Sequence, residues 1–349
     1  MGMQKGTVIL TGANGGLGSA IVKQLDSDAK FSAYHCIYTV RDATRTEPLN
    51  LHTTHDVVSL DLTKLDNVRE VAKTINANFK LQARVAAGHI PPIRALIVSA
   101  GYQEFGKQTW TSDGLDNTFA TNYLGHWLLI LLLLGSMDKE AGRIVYMGSQ
   151  AHDPKDPRNS RTGAFTDPKY KTFVSAEDAA ASFHAIAEGK WSPATEDAGF
   201  RGGYRRYGAS KLFLAMMQHE LQARLDDADA DLGRNNRICV VGVDPGVMST
   251  GMQRLAPWVI RVLIFRILYP LIQLVAPNKG PRPTGRAAEE VLEAAVAGSA
   301  SDGDGDGDGD GERLELPRDG YFHEMKVMET SEESRDANKR ALVWRRRLN

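Results

Sequence analysis

A tyrosine and a lysine four residues apart are the first residues in this sequence that could do chemistry together. Tyr207 and Lys211 lie at the start of an apolar-periodic stretch that predicts a helix. Residues at i and i+4 share one helical face, so the ammonium would lie beside the phenol. A nearby positive charge stabilises phenolate and lowers the pKa of tyrosine from its usual value of about 10. The pair predicts a proton donor and acceptor, although such pairs are also common in purely structural helices.

Other polar residues follow predicted strands and could join this pair. Ser149 closes the predicted fifth strand, Asn122 precedes a long Leu/Ile run, and Pro245-Gly246 with Thr250 follows the predicted sixth strand. Ligands in open α/β sheets lie outside the carboxyl ends of parallel strands. We therefore expect these residues and the Tyr–Lys pair to meet at one edge of a sheet.

A glycine-rich turn follows the first predicted strand. It reads Thr11-Gly12-Ala13-Asn14-Gly15-Gly16-Leu17-Gly18. Such a turn lets backbone N–H groups approach a pyrophosphate, and the positive end of the following helix dipole adds to the attraction. The spacing differs from the G-x-G-x-x-G fingerprint, and an ordinary tight turn is the alternative. Its position between strand and helix favours a dinucleotide site.

The end of the second predicted strand indicates which dinucleotide would bind. An NAD site needs an acid there for the ribose hydroxyls, but Thr39 and Val40 are uncharged and Arg41 follows. A guanidinium can form a bidentate pair with a 2′-phosphate. Arg41 therefore favours NADP(H), with a solvated surface arginine as the alternative. Asp61 after the third strand would accept from the adenine amine, and the small pair Ala100-Gly101 would let the adenosine pass.

Short β-type runs alternate with helical stretches through most of the chain. The predicted strands are 7–10, 35–40, 57–61, 95–99, 143–147 and 237–243, and the predicted helices are 18–25, 68–79, 115–134 and 207–225. This alternation is typical of parallel strands with crossover helices. We predict one α/β domain over 1–349, a Rossmann-type doubly wound parallel sheet in which the Leu/Ile run 128–134 is core.

Three segments interrupt the alternation. The polar segment 152–206 is too long for an ordinary connection, and we expect it to loop out as an insert near the substrate mouth. Residues 255–280 are strongly apolar and predict a helical substrate lobe. The Asp-Gly pairs of 302–312 predict a flexible linker.

The apolar stretch 255–276 raises the question of a membrane. It is long enough to span a bilayer, but Arg261 and Arg266 and two prolines within it oppose insertion. A helical lid over the site, and a lid that also touches a membrane surface, stay open as alternatives. We expect a cytoplasmic protein, with peripheral attachment to an intracellular membrane as the alternative.

Composition excludes several classes of protein. Of 349 residues, 42% are hydrophobic and 24% charged, as in soluble globular proteins, which excludes a polytopic membrane protein and wholesale disorder. The net charge of −1 is far from the basic balance of nucleic-acid binders. Two cysteines are too few for a disulfide framework or a thiolate zinc site. No apolar signal segment precedes the first strand, and we expect no metal.

Taken in chain order, these motifs resemble those of the short-chain dehydrogenase/reductase family. Asn122, Ser149, Tyr207 and Lys211 match its catalytic tetrad, Thr11-Gly12-x3-Gly16-x-Gly18 its glycine motif, and Pro245-Gly246 its nicotinamide-side motif. The stretch 122–127 and the tail residues 320–322 and 341–344 resemble retinol-dehydrogenase-like and sterol 3-ketoreductase-like members. One departure is that the usual Asn-Asn-Ala-Gly is Val98-Ser99-Ala100-Gly101 here.

The resemblance implies an enzyme that interconverts a carbonyl and an alcohol with NADP(H). It implies that Tyr207 donates the proton, Ser149 hydrogen-bonds the substrate oxygen, Lys211 holds the ribose hydroxyls, and Asn122 positions a water. We expect a bulky hydrophobic substrate such as a sterol, a retinoid, or a polyketide or terpenoid ketone, and no nucleic acid; a homodimer is left open. The competing functions are a non-catalytic dinucleotide sensor and a membrane-associated scaffold.

Overall fold

An eight-stranded sheet organises the protein, and a computed structural model describes residues 5–47, 49–82, 91–175, 177–232, 236–248, 282–296 and 317–345. The strands are β1 Gly6–Thr11, β2 Tyr34–Val40, β3 His55–Ser59, β4 Ile93–Val98, β5 Arg143–Met147, β6 Cys239–Asp244, β7 Tyr321–His323 and β8 Lys326–Val327. Their order is β3-β2-β1-β4-β5-β6-β7-β8, parallel except for β8. This confirms the predicted doubly wound sheet, whose strand order reverses between β1 and β4. The sequence reading did not predict β7 and β8.

Helices cover both faces of the sheet. They are α1 Gly16–Ser27, α2 Leu65–Gln82, α3 Asn117–Phe119, α4 Gly125–Leu133, α5 Ala179–Ala187, α6 Phe200–Leu232, α7 Thr284–Val296, α8 Glu332–Arg335 and α9 Ala337–Trp344. Helices α1 and α7 pack in the core on one face, and α2, α4 and α6 in the core on the other. A π-helical turn, Ala120–Leu124, joins α3 to α4.

The apolar helix around α4 is mostly internal. Among the described residues, Asn117–Ser136 is the one helical stretch long and apolar enough to cross a membrane, and 61% of its apolar window is buried in the protein. Leu129, Ile130 and Leu133 lie in the core, whereas Leu131 and Leu132 are exposed. The stretch is therefore built largely as a core helix, in line with the prediction for 128–134.

The insert 152–206 is more than an outward loop. Its Phe183, on α5, packs edge-to-face on Phe119 at 5.7 Å and on Phe213 at 5.4 Å between ring centroids. Its last residues, from Phe200 on, already belong to α6, which begins two turns before Tyr207 rather than at it. The insert thus extends the core and continues directly into the helix that carries the Tyr–Lys pair.

Several predicted features lie outside the described residues. They are Thr250, the apolar lobe 255–280 with its candidate membrane stretch 255–276, and the Asp-Gly linker 302–312.

Candidate active site

One cavity of about 690 Å³ lies at the carboxyl edge of the sheet. Fourteen of the predicted site residues line it: Gly12, Asn14, Gly16, Leu17, Gly18, Arg41, Asp61, Ala100, Gly101, Ser149, Tyr207, Lys211, Pro245 and Gly246. Thr11 and Asn122 do not line it, and Thr250 is outside the described residues. Residues that are far apart in the chain therefore meet at one edge of the sheet, as their positions at the ends of predicted strands indicated.

The glycine turn between β1 and α1 brings backbone close to the cavity. Gly12 has φ of 71°, and a Cβ there would lie 2.8 Å from the Cα of Ala100. A Cβ at Gly18 would overlap the carbonyl oxygen of Gly12. The N-terminus of α1 has neither a side-chain cap nor an acid in its first turn. Its N–H groups and positive dipole end can therefore receive an anion such as a pyrophosphate.

Thr11 braces this turn rather than facing the cavity. Its side chain is fully buried, and its Oγ1 accepts a hydrogen bond from the backbone N–H of Ala100 at 3.0 Å. The same Oγ1 lies 3.0 Å from Nε2 of His126. The Thr11 side chain thus ties β1 to the loop after β4, and its contact with the cofactor stays a prediction.

The far end of the cavity is bordered by β2 and the loop after β3. Thr39, Val40 and Arg41 line it, and Arg41 is exposed to solvent. Asp61 lies two residues beyond β3, and its Oδ1 accepts from the Thr63 hydroxyl at 2.7 Å. The described wall thus presents a cation, and no acid, at the end of β2.

Ser149, Tyr207 and Lys211 meet at the other end. Burial raises the pKa of Tyr207, and a hydrogen bond between the Tyr207 and Ser149 side chains acts in the opposite direction. Lys211 Nζ lies 5.4 Å from the Tyr207 ring centroid and donates to the Met147 carbonyl at 2.9 Å. Burial lowers the pKa of Lys211 to about 8.

The electrostatics of this pair differ from the sequence expectation. Lys211 was expected to lower the pKa of Tyr207, but in this structure the pKa of the phenol is raised, because burial is the dominant influence on it. The Lys211 ammonium is engaged by a backbone carbonyl at the end of β5. A buried phenol of this kind keeps its proton at neutral pH, which suits a proton donor.

Asn122 joins two elements and is fully buried. Its Nδ2 donates to the carbonyl of Tyr102 at 2.9 Å and to Oγ of Ser210 at 3.0 Å, while its Oδ1 accepts from the Tyr102 N–H at 2.8 Å. Both donors of the amide are thereby used. Asn122 ties the loop after β4 to α6, and the water-positioning role that the resemblance implies stays a prediction.

Two other candidate proton donors are already engaged. Ser331 N–H donates to Nε2 of His152 at 3.0 Å, so Nδ1 carries the ring proton and donates to the Ser149 carbonyl at 2.6 Å. The Tyr204 hydroxyl donates to Oδ1 of Asn159 at 2.8 Å. Burial lowers the pKa of His152, so it remains neutral and holds Ser149 in place.

The cavity includes residues that the sequence reading missed. Asp244, at the end of β6, is 3% exposed and accepts from Arg158 Nη1 of the insert at 3.1 Å. Its position directly before Pro245-Gly246 could have predicted that it borders the cavity. Other lining residues that the sequence did not indicate include Tyr102, Phe105, Gln150, Thr162, Phe200, Tyr204, Val247 and Met248.

The chain is similar in sequence to known short-chain dehydrogenases and reductases. Residues 6–161 match the family described as short chain dehydrogenase. A short-chain dehydrogenase of Talaromyces variabilis, iccH, is 37% identical over 98% of this chain and 94% of its own length. A chloroplastic protochlorophyllide reductase of Cucumis sativus is 27% identical over 78% of this chain, which spans only 62% of that relative.

Solved structures agree on the fold. An uncharacterised protein of Mycobacterium paratuberculosis aligns with a TM-score of 0.55 and 20% identity, covering 97% of this chain and 91% of that one. A 3-oxoacyl-[acyl-carrier protein] reductase of Brucella melitensis aligns with a TM-score of 0.50 and 16% identity over 84% of this chain and 91% of that one. At these identities the likeness shows the fold alone.

Proposed function

Because the chain belongs to the short-chain dehydrogenase/reductase family, whose fold holds a nicotinamide dinucleotide, we propose that it is an NADP(H)-dependent enzyme that reduces a ketone on a bulky hydrophobic substrate. The observation that carries this proposal is that Ser149, Tyr207 and Lys211 line the same cavity as the glycine turn. The alternatives of a non-catalytic sensor or a scaffold are less favoured, because neither would need a Ser–Tyr–Lys group facing the dinucleotide cavity.

The residues at the β1 end fit the dinucleotide. The uncapped N-terminus of α1 would receive the pyrophosphate, and Asp61 and the small pair Ala100-Gly101 border the path for the adenosine. Arg41, with no acid among the described lining residues at the end of β2, supports NADP(H) over NAD(H), because a guanidinium pairs well with a 2′-phosphate. The cofactor, when bound, supplies the hydride.

The residues at the α6 end would donate the proton to the substrate oxygen and stabilise the negative charge that develops on it. Tyr207 holds a proton at neutral pH because burial raises its pKa, so its hydroxyl can protonate the substrate oxygen. Ser149, held by the bond from His152 to its carbonyl, would donate to the same oxygen as negative charge develops there. Lys211 would keep a positive charge beside both.

Partners and location are part of the proposal. We infer a hydrophobic small-molecule substrate and a cytoplasmic protein that contacts an intracellular membrane peripherally through 255–276 or uses that stretch only as a lid. The stretch lies outside the described residues. A homodimer stays open, and we propose no nucleic-acid partner.

Removal of the Tyr207 hydroxyl tests the chemistry. Tyr207→Phe should lower kcat for reduction by at least about 10²-fold, the lower range for a lost general acid, while NADPH still binds. The measurement is NADPH oxidation with a panel of hydrophobic ketones, together with NADPH binding by fluorescence.

Tyr204→Phe is the matched control, since it makes the same change one turn earlier and should reduce kcat far less. Near-normal turnover in Tyr207→Phe would show that another group is the proton donor. Absence of NADPH-dependent turnover in the wild-type protein with every ketone, despite NADPH binding, would favour the sensor.

A further inference from the structure

Four aromatic rings form a continuous row along one wall of the cavity. We call Phe105, Phe200, Tyr204 and Tyr207 the aromatic ladder. Successive ring centroids are 5.9, 5.2 and 6.4 Å apart, with angles of 31°, 27° and 32° between ring planes. All four residues line the cavity. The row ends at the residue that donates the proton.

The ladder follows from helix geometry and one close backbone contact. Phe200, Tyr204 and Tyr207 are spaced i, i+4 and i+7 on α6, so they share one face. Phe105 reaches them because Gly203 has no side chain: a Cβ there would overlap the carbonyl oxygen of Glu104. The loop after β4 can therefore press directly on α6 and add a fourth ring.

The rings are held before any substrate arrives. Tyr204 is fixed by its bond to Asn159, whose Nδ2 donates to the carbonyls of Gln150 at 2.9 Å and Asp153 at 2.7 Å. Phe165 supports the Tyr204 ring from a distance of 6.1 Å. A wall already ordered in this way loses little freedom on binding.

The Phe105 loop is anchored as well. Glu104 Oε1 accepts from the Thr109 hydroxyl at 2.5 Å and from the Tyr102 hydroxyl at 3.1 Å. Its other oxygen lies 3.7 Å from Nη2 of Arg206, on α6. The loop and the helix are therefore held together beside the rings that they contribute.

We propose that the substrate of this enzyme is a planar, unsaturated ring system that stacks on the aromatic ladder and presents its carbonyl to Tyr207. This inference rests on the proposed reductase function and narrows its substrate class. Aromatic side chains gain more from a flat π-system in offset-stacked or edge-to-face contact than from a saturated ring of the same size. A saturated polycyclic ketone, such as a sterol, is the competing class.

Two ketones that share a carbon skeleton test this preference. Naphthylacetone carries a flat ring system, decalinylacetone is its fully hydrogenated counterpart, and in both a methylene separates the ring from the carbonyl. We expect a higher kcat/KM with NADPH for the naphthyl ketone. Phe200→Leu should lower that kcat/KM by roughly 2- to 12-fold, the value of one aromatic pair, with little change for the decalinyl ketone.

Matched variants separate stacking from a general structural effect. Phe200→Tyr retains a ring and should keep the preference, and Phe105→Leu should weaken it even if Phe200→Leu folds poorly. Phe79→Leu, on α2 away from the cavity, should leave the ratio of the two kcat/KM values unchanged. Equal losses for both ketones in Phe200→Leu and Phe105→Leu, or no loss for either, would overturn the proposal.

Binding measurements distinguish this inference from the reductase function itself. Calorimetric titration of each ketone into the protein with NADP⁺ should show tighter binding of the naphthyl ketone, lost in Phe200→Leu. Tighter binding of the naphthyl ketone with no reduction of either ketone would support stacking on the aromatic ladder and contradict the proposed reductase function. Reduction of both ketones without any preference in binding or kcat/KM would support the reductase function and contradict stacking on the aromatic ladder.

Discussion

At the β1 and β2 end of the cavity the wall is mostly backbone and small side chains, whereas at the α6 end it is built from large side chains that other segments hold in place. Gly12 can lie against Ala100, and Gly18 against the carbonyl oxygen of Gly12, because neither glycine has a Cβ. The Tyr204 hydroxyl is held by Asn159, from elsewhere in the chain, and Ser149 opposes the rise in the pKa of Tyr207. The first kind of wall is recognisable from a local glycine spacing, whereas the second is not recognisable without its distant partners.

The two ends also differ in buried charge. Arg206, next to Tyr207 on α6, lies 3.7 Å from Glu104 and 3.4 Å from Asp116, and all three are under 5% exposed. Burial raises the pKa of both carboxyl groups. At the cofactor end, by contrast, Arg41 is exposed. Changes at the α6 end should therefore affect stability, and changes at Arg41 should affect binding alone.

The largest effect is expected from Arg206→Met. It leaves two buried carboxylates without their cation, and breaking a buried ion pair in this way costs about 3–5 kcal/mol. The free energy of unfolding, measured by urea denaturation at pH 7, should fall by that amount. Arg201→Met is the control on the same helix, because its pair with Asp197 is more than half exposed on the arginine side and should contribute under about 1 kcal/mol.

The deficit of Arg206→Met should also depend on pH. The pKa of Glu104 and that of Asp116 are raised in the folded protein, so folding takes up protons as the pH falls through these values. Arg206 opposes this rise in both groups, so without it their pKa values rise further, and lowering the pH stabilises the variant more than the wild type. The difference from wild type should shrink between pH 7 and pH 5. An equal deficit at both values would show that lost packing, rather than buried charge, is responsible.

An intermediate effect is expected at Lys211, which lies between the two ends. Burial lowers its pKa to about 8, so the ammonium is lost as the pH rises above that value. The kcat/KM for ketone reduction should fall by up to about 10-fold per pH unit above pH 8. In Lys211→Arg the fall should move to higher pH, whatever the residual rate. A fall at the same pH in both proteins would assign the titration to another group.

The smallest effect is expected at the cofactor end. Arg41→Ala should raise the KM for NADPH by roughly 10-fold, the lower value for a hydrogen bond to a charged group, and leave the KM for NADH nearly unchanged. Arg45→Ala, which removes an exposed arginine paired with Asp42, is the control and should change neither KM. Equal effects of Arg41→Ala on both cofactors would mean that Arg41 does not contact the 2′-phosphate.

The sequence predicted the cofactor end of the cavity better than the α6 end, because the two walls are built differently. Strand–turn–helix alternation and the glycine spacing are local patterns, and they predicted the sheet and the residues that line the cofactor end. Thr11 and Asn122 match a motif as well, but the structure gives them hydrogen-bond partners in the loop after β4 and on α6. A motif therefore located these two residues without revealing which way their side chains face.

The spacing of Phe200, Tyr204, Tyr207 and Lys211 on one helical face was present in the sequence, and it was missed because the helix was expected to begin at Tyr207. No local pattern, however, indicates that Phe105 stacks on Phe200 or that Arg158 of the insert pairs with Asp244. The sequence alone indicated six of the strands, the glycine turn and the Tyr–Lys pair, because residue periodicity, turn residues and i, i+4 spacing are patterns within a few residues. Only the tertiary structure decided the aromatic wall, the raised pKa of Tyr207 and the engagement of Asn122, because burial and cross-chain hydrogen bonds arise when distant segments pack together.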